Sequence, residues 1–167
     1  MNALEIAQSA EAVLNEMDFG YERKQAVLFA IVFSPNNALT LKEITSNGDV
    51  YELLNDKRSI TALAKHDKVL VATCGWASPV GDDDDDNDLP PSVHPKRRRV
   101  RLSCCLSDEG VASVLRFSDT PDETITDEGK ARGSLADALN KLRKKARRTK
   151  SKTQDAYEPK TNPTTDK

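Results

Sequence analysis

Length and composition indicate one ordinary folded domain and argue against two full-sized ones. The chain has 167 residues, 37% of them hydrophobic and 31% charged, which is enough for a single hydrophobic core. The formal net charge of −2 hides three segregated blocks: acids within 82–88, bases within 96–101 and bases within 141–152. Because exposed charges act over about 8 to 10 Å at physiological salt, a partner would respond to these blocks and not to the net charge.

Nothing in the sequence indicates export or membrane insertion. The first residues carry Glu5, Glu11 and Glu16 among apolar positions and no basic block, a pattern typical of neither a signal nor a transit peptide. The longest apolar run, 26–33, is far shorter than the ~20 residues that cross a bilayer as a helix. The chain has three cysteines, an odd number that does not suggest a disulfide framework. We therefore predict a cytoplasmic protein with reduced thiols and no membrane segment.

Hydrophobic periodicity predicts a helix, two strands and a second helix in the first half of the chain. Residues 4–17 repeat apolar side chains at steps of three and four, which is one face of an amphipathic helix. Residues 25–33 are apolar without alternation and predict a central strand covered on both sides. A hairpin partner follows at 38–44, and helix-spaced apolar positions run from 50 to 64 across a weak point near Asn55.

The second half predicts three strands and a final helix. The strands are 69–77, 99–106 and 111–117, and a turn signal at 108–110 joins the last two as a hairpin. A helix follows Gly133. This order predicts an α+β fold, with a mostly antiparallel sheet of about five strands, helices packed on it, a C-terminal basic helix and a disordered tail.

The same patterns predict where the folded part ends. Residues 1–140 are expected to form a single α+β domain that contains an acidic disordered loop at 81–91, because a run of like charges repels itself. Residues 141–167 are expected to be a basic and then polar disordered tail, since their composition offers little to bury.

The segment from 75 to 100 is the first candidate working surface. It joins two predicted strands by about twenty residues, and loops of that length tend to be binding surfaces or disordered insertions. Arginines beside a histidine in a proline-stiffened loop could grip phosphate or carboxylate. The alternatives are an ordinary polar loop and a tryptophan that belongs to the core or its rim. The candidate binding residues are Trp76, Ser92, His94, Arg97, Arg98 and Arg99.

The basic run near the C-terminus is the second candidate. It could dock on nucleic-acid phosphates, although no aromatic residue interrupts it for base stacking. The alternatives are a solubilising tail, or a tail folded back on the acidic loop. The candidate polyanion-binding residues are Lys141, Arg143, Lys144, Lys145, Arg147 and Arg148.

No pattern assigns a catalytic residue, a metal or a cofactor. Cys74, His94, Cys104 and Cys105 could meet if their strands pair, but no CxxC or HxxxH spacing supports a metal site. The chain has two histidines, and the GxSxG, Walker A, GxGxxG and HExxH patterns do not occur. We therefore predict no metal and no cofactor, and the sequence favours a binding protein over an enzyme.

Several blocks of the chain carry a resemblance to a known family. GWASP, PSVHPKRRRV and RGSLADAL resemble a family of small, uncharacterised actinobacterial proteins, over about residues 67–139. The resemblance implies an actinobacterial source and treats the aspartate run as an insertion between two of these blocks. It brings no activity and no catalytic residue.

These observations lead to one functional hypothesis and two alternatives. The first is a non-enzymatic binding or regulatory module that contacts a polyanion such as nucleic acid through its basic loop and tail. The second is an enzyme for a small anionic substrate, with His94 as general acid or base and Arg97 or Arg98 holding the anion. The third is an adaptor that docks on another protein.

Overall fold

The helices and strands follow one another in the predicted order, with one strand more than predicted. The structure, a computed structural model, describes residues 1–79, 88–127 and 134–155. Within them the helices are α1 (Ala3–Glu16), α2 (Val50–Asn55), α3 (Lys57–Lys65) and α4 (Ser134–Asp155). The strands are β1 (Ala26–Phe33), β2 (Leu39–Asn47), β3 (Val69–Ala77), β4 (Arg98–Ser107), β5 (Gly110–Phe117) and β6 (Thr124–Asp127).

The six strands form one sheet in the order β2-β1-β3-β4-β5-β6, and every neighbouring pair is antiparallel. The predicted α+β class, the antiparallel sheet and the C-terminal helix are confirmed. The additional strand, β6, is four residues long and mostly exposed, so it has no apolar face that a sequence pattern could reveal.

Each face of the sheet buries its own core. On one face α1 packs through Ile6, Ala10 and Leu14 onto side chains of β1, β3 and β5. On the other face α2, α3 and α4 cover a second cluster, in which Leu53, Leu63 and Leu139 meet the sheet. Strand β1 is buried from Ala26 to Ile31, as expected of a central strand covered on both sides.

The weak point predicted near Asn55 is a real break. Helix α2 ends at Asn55, and Asp56 adopts an extended conformation and caps α3 by accepting a hydrogen bond from the backbone N–H of Arg58 at 2.7 Å. An aspartate at this position satisfies a backbone donor that would otherwise lack a partner. The break turns α3 so that Ala62 and Leu63 meet the core.

Helix α4 runs through the boundary predicted at residue 140 and ends at Asp155. Beyond that position, Arg143 and Ala146 are buried against the domain. The apolar stripe continues through a small residue and an arginine stem, which composition alone does not reveal. Most of the acidic loop and the final residues 156–167 lie outside the described residues.

None of the helices described here combines the length and the apolar character that crossing a membrane requires.

Candidate anion-binding surfaces

Strand β4 sends its arginines to opposite faces of the sheet. Successive side chains of a strand alternate between faces, so Arg99 and Arg101 face α1, whereas Arg98 lies on the face that carries α4. The predicted arginine cluster is therefore divided between two surfaces.

The guanidinium of Arg98 is held by acidic residues of the β5–β6 connection. Its Nη2 lies 2.7 Å from Asp119 and 3.2 Å from Glu123, and it also donates to the Thr120 hydroxyl. The group stacks over the Phe117 ring at 3.8 Å. Hydrogen bonds from Arg98 lower the pKa of Asp119 and of Glu123. Arg98 is thus engaged by carboxylates of its own chain.

Trp76 and two arginines come together on the face that carries α1. The guanidinium carbons of Arg97 and Arg99 lie 5.1 and 5.0 Å from the Trp76 ring centre, within cation–π range. Arg99 is fixed further by the Tyr21 carbonyl at 2.8 Å and by Glu22 at 3.4 Å. Trp76 is 40% exposed and Arg97 is also exposed, so this cluster reaches the surface.

The predicted general acid or base lies in the interior. His94 is 1% exposed, and its Nδ1 accepts a hydrogen bond from the backbone N–H of Lys96 at 3.0 Å. Its carbonyl accepts from the Arg97 backbone N–H at 3.1 Å. Ser92 is exposed in the same turn. A group that transfers a proton must reach its substrate. The buried His94 instead stabilises a turn through its hydrogen bond with Lys96.

A buried ion cluster escaped the sequence analysis. Glu11 of α1 is fully buried and accepts from Arg101 Nε at 3.0 Å and from Arg116 Nε at 2.8 Å. Arg101 is also 1% exposed and donates to Asn15. The available signal was the position of Glu11, four residues after the buried Ala7 and therefore on the apolar stripe of the helix.

Helix α4 is tied to the domain through two arginines, the buried Arg143 and the exposed Arg147. Arg143 donates to the carbonyls of His66 and Asp67, and its Nη1 lies 3.8 Å from Asp108. Arg147 donates to the same Asp108 carboxylate and lowers its pKa. Burial lowers the pKa of Arg143. Two of the six predicted polyanion-binding residues therefore hold the helix in place.

The outward face of α4 carries a basic groove. Its lining side chains follow the helical steps of three and four, so they share one face, and together they span about 16 Å of the helix axis. The groove measures about 310 Å³, and all of the described residues that line it are basic. Lys152 joins it although the sequence analysis did not select it. We call these residues the basic face of α4: Lys141, Lys144, Lys145, Arg148 and Lys152.

Arg98 and the contacts that hold α4 lie at opposite ends of β4. Arg98 begins β4, whereas Asp108, which holds α4, follows its end. A strand of this length covers about 30 Å. The two basic blocks of the sequence are therefore separate surfaces.

The thiols and carboxylates do not gather into a metal centre in the part of the chain that the structure describes. Cys104 and Cys105 are buried on opposite faces of the sheet, and burial raises the pKa of each thiol to about 12. The half-buried Cys74 lies 3.6 Å from the Gly20 carbonyl. These thiols occupy positions in or beside the core.

Comparisons with protein-family models, with curated proteins and with solved structures gave no match. The resemblance to small actinobacterial proteins stays a prediction.

Proposed function

We propose that the protein is a non-enzymatic module that binds the backbone of a nucleic acid through the basic face of α4. The observation that carries the proposal is the division of labour within one helix. Arg143 and Arg147 bond to the domain, while five cationic side chains line an outward groove on the same helix. Because these contacts anchor the helix, its backbone holds the attachment points of the outer cations at fixed spacings, which lowers the entropic cost of binding.

The chemistry of the groove favours contacts with phosphates over contacts with bases. Its lining has four lysines and one arginine and no aromatic side chain. Lysines act as point charges toward phosphate, and without aromatic platforms a single strand gains no stacking energy. We therefore expect duplex DNA to bind with little sequence preference. Five neutralised phosphates correspond to a slope of log K against log salt of about −4.5.

The loop arginines Arg98 and Arg99 are less suited to bind an anion than the basic face of α4. Arg98 is engaged by Asp119 and Glu123, and Arg99 by Glu22, so displacing these carboxylates would oppose any gain from an incoming anion. His94 is buried, which gives the enzyme alternative little support. The cytoplasmic location predicted from the sequence suits a nucleic-acid ligand.

The test replaces three cations of the basic face by glutamine. In Lys141→Gln/Lys144→Gln/Arg148→Gln the helix keeps good helix formers, so folding is expected to be preserved. Each lost phosphate contact lowers the steepness of the salt dependence by about 0.9, and the three together by about 2.7. Fluorescence anisotropy of labelled duplex DNA, single-stranded RNA and inorganic phosphate over a series of salt concentrations measures this change.

A matched control removes the same charge elsewhere. Lys24→Gln/Lys42→Gln/Arg97→Gln alters three exposed cations, of which Arg97 lies beside Trp76. This variant should leave the slope of log K against log salt unchanged. An equal loss in both variants would mean that binding follows net charge, and the proposal would fail. Should the unaltered protein retain none of the three ligands, the basic face is better explained as a protein-docking surface.

A further inference from the structure

A second groove lies on the same side of the sheet, between the edge strand β2 and helix α3. It is a shallow groove of about 340 Å³ that is widely open to solvent. Its residues belong to β2, to α3 and to the turn after α3, and none is on α4. The lining residues are Ile44, Lys57, Arg58, Thr61, Ala62, Lys65 and His66.

A β-bulge supplies part of the apolar floor of this groove. Leu28 pairs with Thr45 and Phe29 pairs with Glu43, so Ile44 is an extra residue without a partner on β1. Bulges re-aim side chains and recur beside binding sites. Here Ile44 packs toward the cluster that contains Ala62, and these two residues form the apolar floor.

The wall that α3 and the following turn form is held in place by contacts within the protein. The Thr61 hydroxyl donates to the Lys57 carbonyl at 2.9 Å, so this polar group is satisfied within α3. The carbonyls of His66 and Asp67 accept hydrogen bonds from Arg143, which holds the turn after α3 against α4. A wall held in this way does not have to be ordered by the ligand.

The charged side chains among the described lining residues are all basic. Lys57 and Lys65 stand at the two ends of α3, about 12 Å apart along the helix, with Arg58 and His66 beside them. Arg58 has an exposed contact with Asp56 at 3.4 Å, and no acid is among the lining residues. An apolar floor below a cationic rim complements a molecule with an apolar body and an anionic head.

We propose that this groove, the α3 groove, binds a small amphipathic carboxylate, with its acyl or aryl body on Ile44 and Ala62 and its carboxylate at the rim lysines. The site is independent of the basic face of α4. The two sites are formed by different residues, and the α3 groove is expected to bind a ligand that has a single charge.

The same bulge disfavours a peptide as the occupant. An added strand would have to pair with the outer edge of β2, and a bulge together with exposed charges blunts such an edge. Lys42 and Glu43 are exposed directly beside Ile44. The groove is therefore better suited to a compact molecule than to an extended chain.

Octanoate, octanol and octylammonium have similar bodies and differ in the head group, so they test the proposal directly. We would titrate each into the full-length isotope-labelled protein, below its micelle concentration, and follow backbone amide shifts. Octanoate should shift Ile44, Thr61, Ala62 and His66 in a saturable way. Octanol should bind roughly tenfold more weakly, because it lacks charged hydrogen bonds, and octylammonium should bind more weakly still.

Two variants separate the apolar and the charged parts of the site. Thr61→Trp adds bulk at an exposed position and should abolish the octanoate shifts without unfolding the protein. Lys65→Gln should weaken octanoate severalfold and leave octanol unchanged. Lys24→Gln, an exposed lysine outside the groove, is the matched control and should bind as the unaltered protein does.

Several outcomes would overturn the inference. These are equal binding of octanol and octanoate, shifts that map to other residues, an unaffected Thr61→Trp variant, and the absence of saturable shifts. A short acidic peptide with one leucine that shifts the groove while octanoate does not would identify a protein partner instead. The glutamine variant of the basic face should keep octanoate binding, so failure of either proposal leaves the other standing.

Discussion

The start of β4 and the basic face of α4 look alike in sequence and differ in the folded protein. Both come from basic stretches of the sequence. Arg98, Arg99 and Arg101, however, each lie against a carboxylate of their own chain. On the basic face of α4, the described lining residues are all basic. Partners for the strand arginines come from segments that are distant in the chain, up to 90 residues away for Glu11. A basic run can therefore build the fold or serve a ligand, depending on what packs beside it.

The two surfaces also differ in whether their basic residues are mainly arginine or mainly lysine. The strand block is mostly arginine, whose planar group forms several directed hydrogen bonds and stacks on rings, as Arg98 does on Phe117. The basic face of α4 is mostly lysine, a hydrated point charge on a mobile stem. The two arginines on the inner side of α4, Arg143 and Arg147, behave like those of the strand.

The largest effect on stability is expected at the buried ion cluster. Glu11→Ala would leave Arg101 buried without a counter-charge, which should lower the free energy of unfolding by about 3 to 5 kcal/mol. Urea denaturation followed by circular dichroism measures the loss. Glu16→Ala, at an exposed position of the same helix, is the control and should change stability by less than about 0.5 kcal/mol. Similar values for the two variants would contradict the structural role of Glu11.

A smaller effect should separate the two faces of α4. Arg143→Gln removes charged hydrogen bonds to the His66 and Asp67 carbonyls and should cost about 1 to 3 kcal/mol. Lys144→Gln on the neighbouring outward position should cost less than about 0.5 kcal/mol while it weakens nucleic-acid binding. Thermal unfolding and anisotropy on both variants test this pairing. A stability loss at Lys144 as large as that at Arg143 would remove the distinction between the faces.

The smallest effect concerns pH at the Arg98 cluster. The pKa values of Asp119 and Glu123 are lowered by Arg98, so their pairing stabilises the folded state when both carboxyls are ionised. That stability is present above the usual values of 3.8 and 4.5 and is lost as the pH falls below them toward the lower folded-state values.

Arg98→Ala should therefore be less stable at neutral pH, and its stability should fall less steeply on acidification. Melting temperatures over a pH series measure the difference, and Arg97→Ala, which loses no carboxylate contact seen here, serves as the control. Identical acid dependence in the two variants would argue against the pairing. Duplex DNA binding should be unchanged in both.

Local patterns predicted most of the secondary structure because those patterns are themselves the physical cause of the elements. The unbroken apolar run in β1 required cover on both faces, and Asp56 interrupted the second helix because its side chain competes for backbone donors. The β4–β5 hairpin followed from its turn residues. Strand β6 was missed because a short exposed edge strand is held by its neighbour and not by its own pattern.

The candidate sites show where local reasoning ends. The basic residues of α4 were selected as one block, but the helix phase relative to the domain decides which of them face outward. His94, Arg98 and Arg99 were grouped because they are adjacent in sequence, whereas strand alternation and distant acids separated them. The α3 groove was not foreseen, since Ile44 and Ala62 are brought together only by packing.

By itself, then, the sequence determined the helices, five of the six strands and the presence of two basic blocks, because each depends on neighbours within a few residues. The tertiary structure alone decided that one block is neutralised by Glu11, Glu22 and Asp119 while the other faces outward. The reason is physical: the electrostatic environment of a side chain depends on all charges within several ångströms, and most of those charges come from remote parts of the chain.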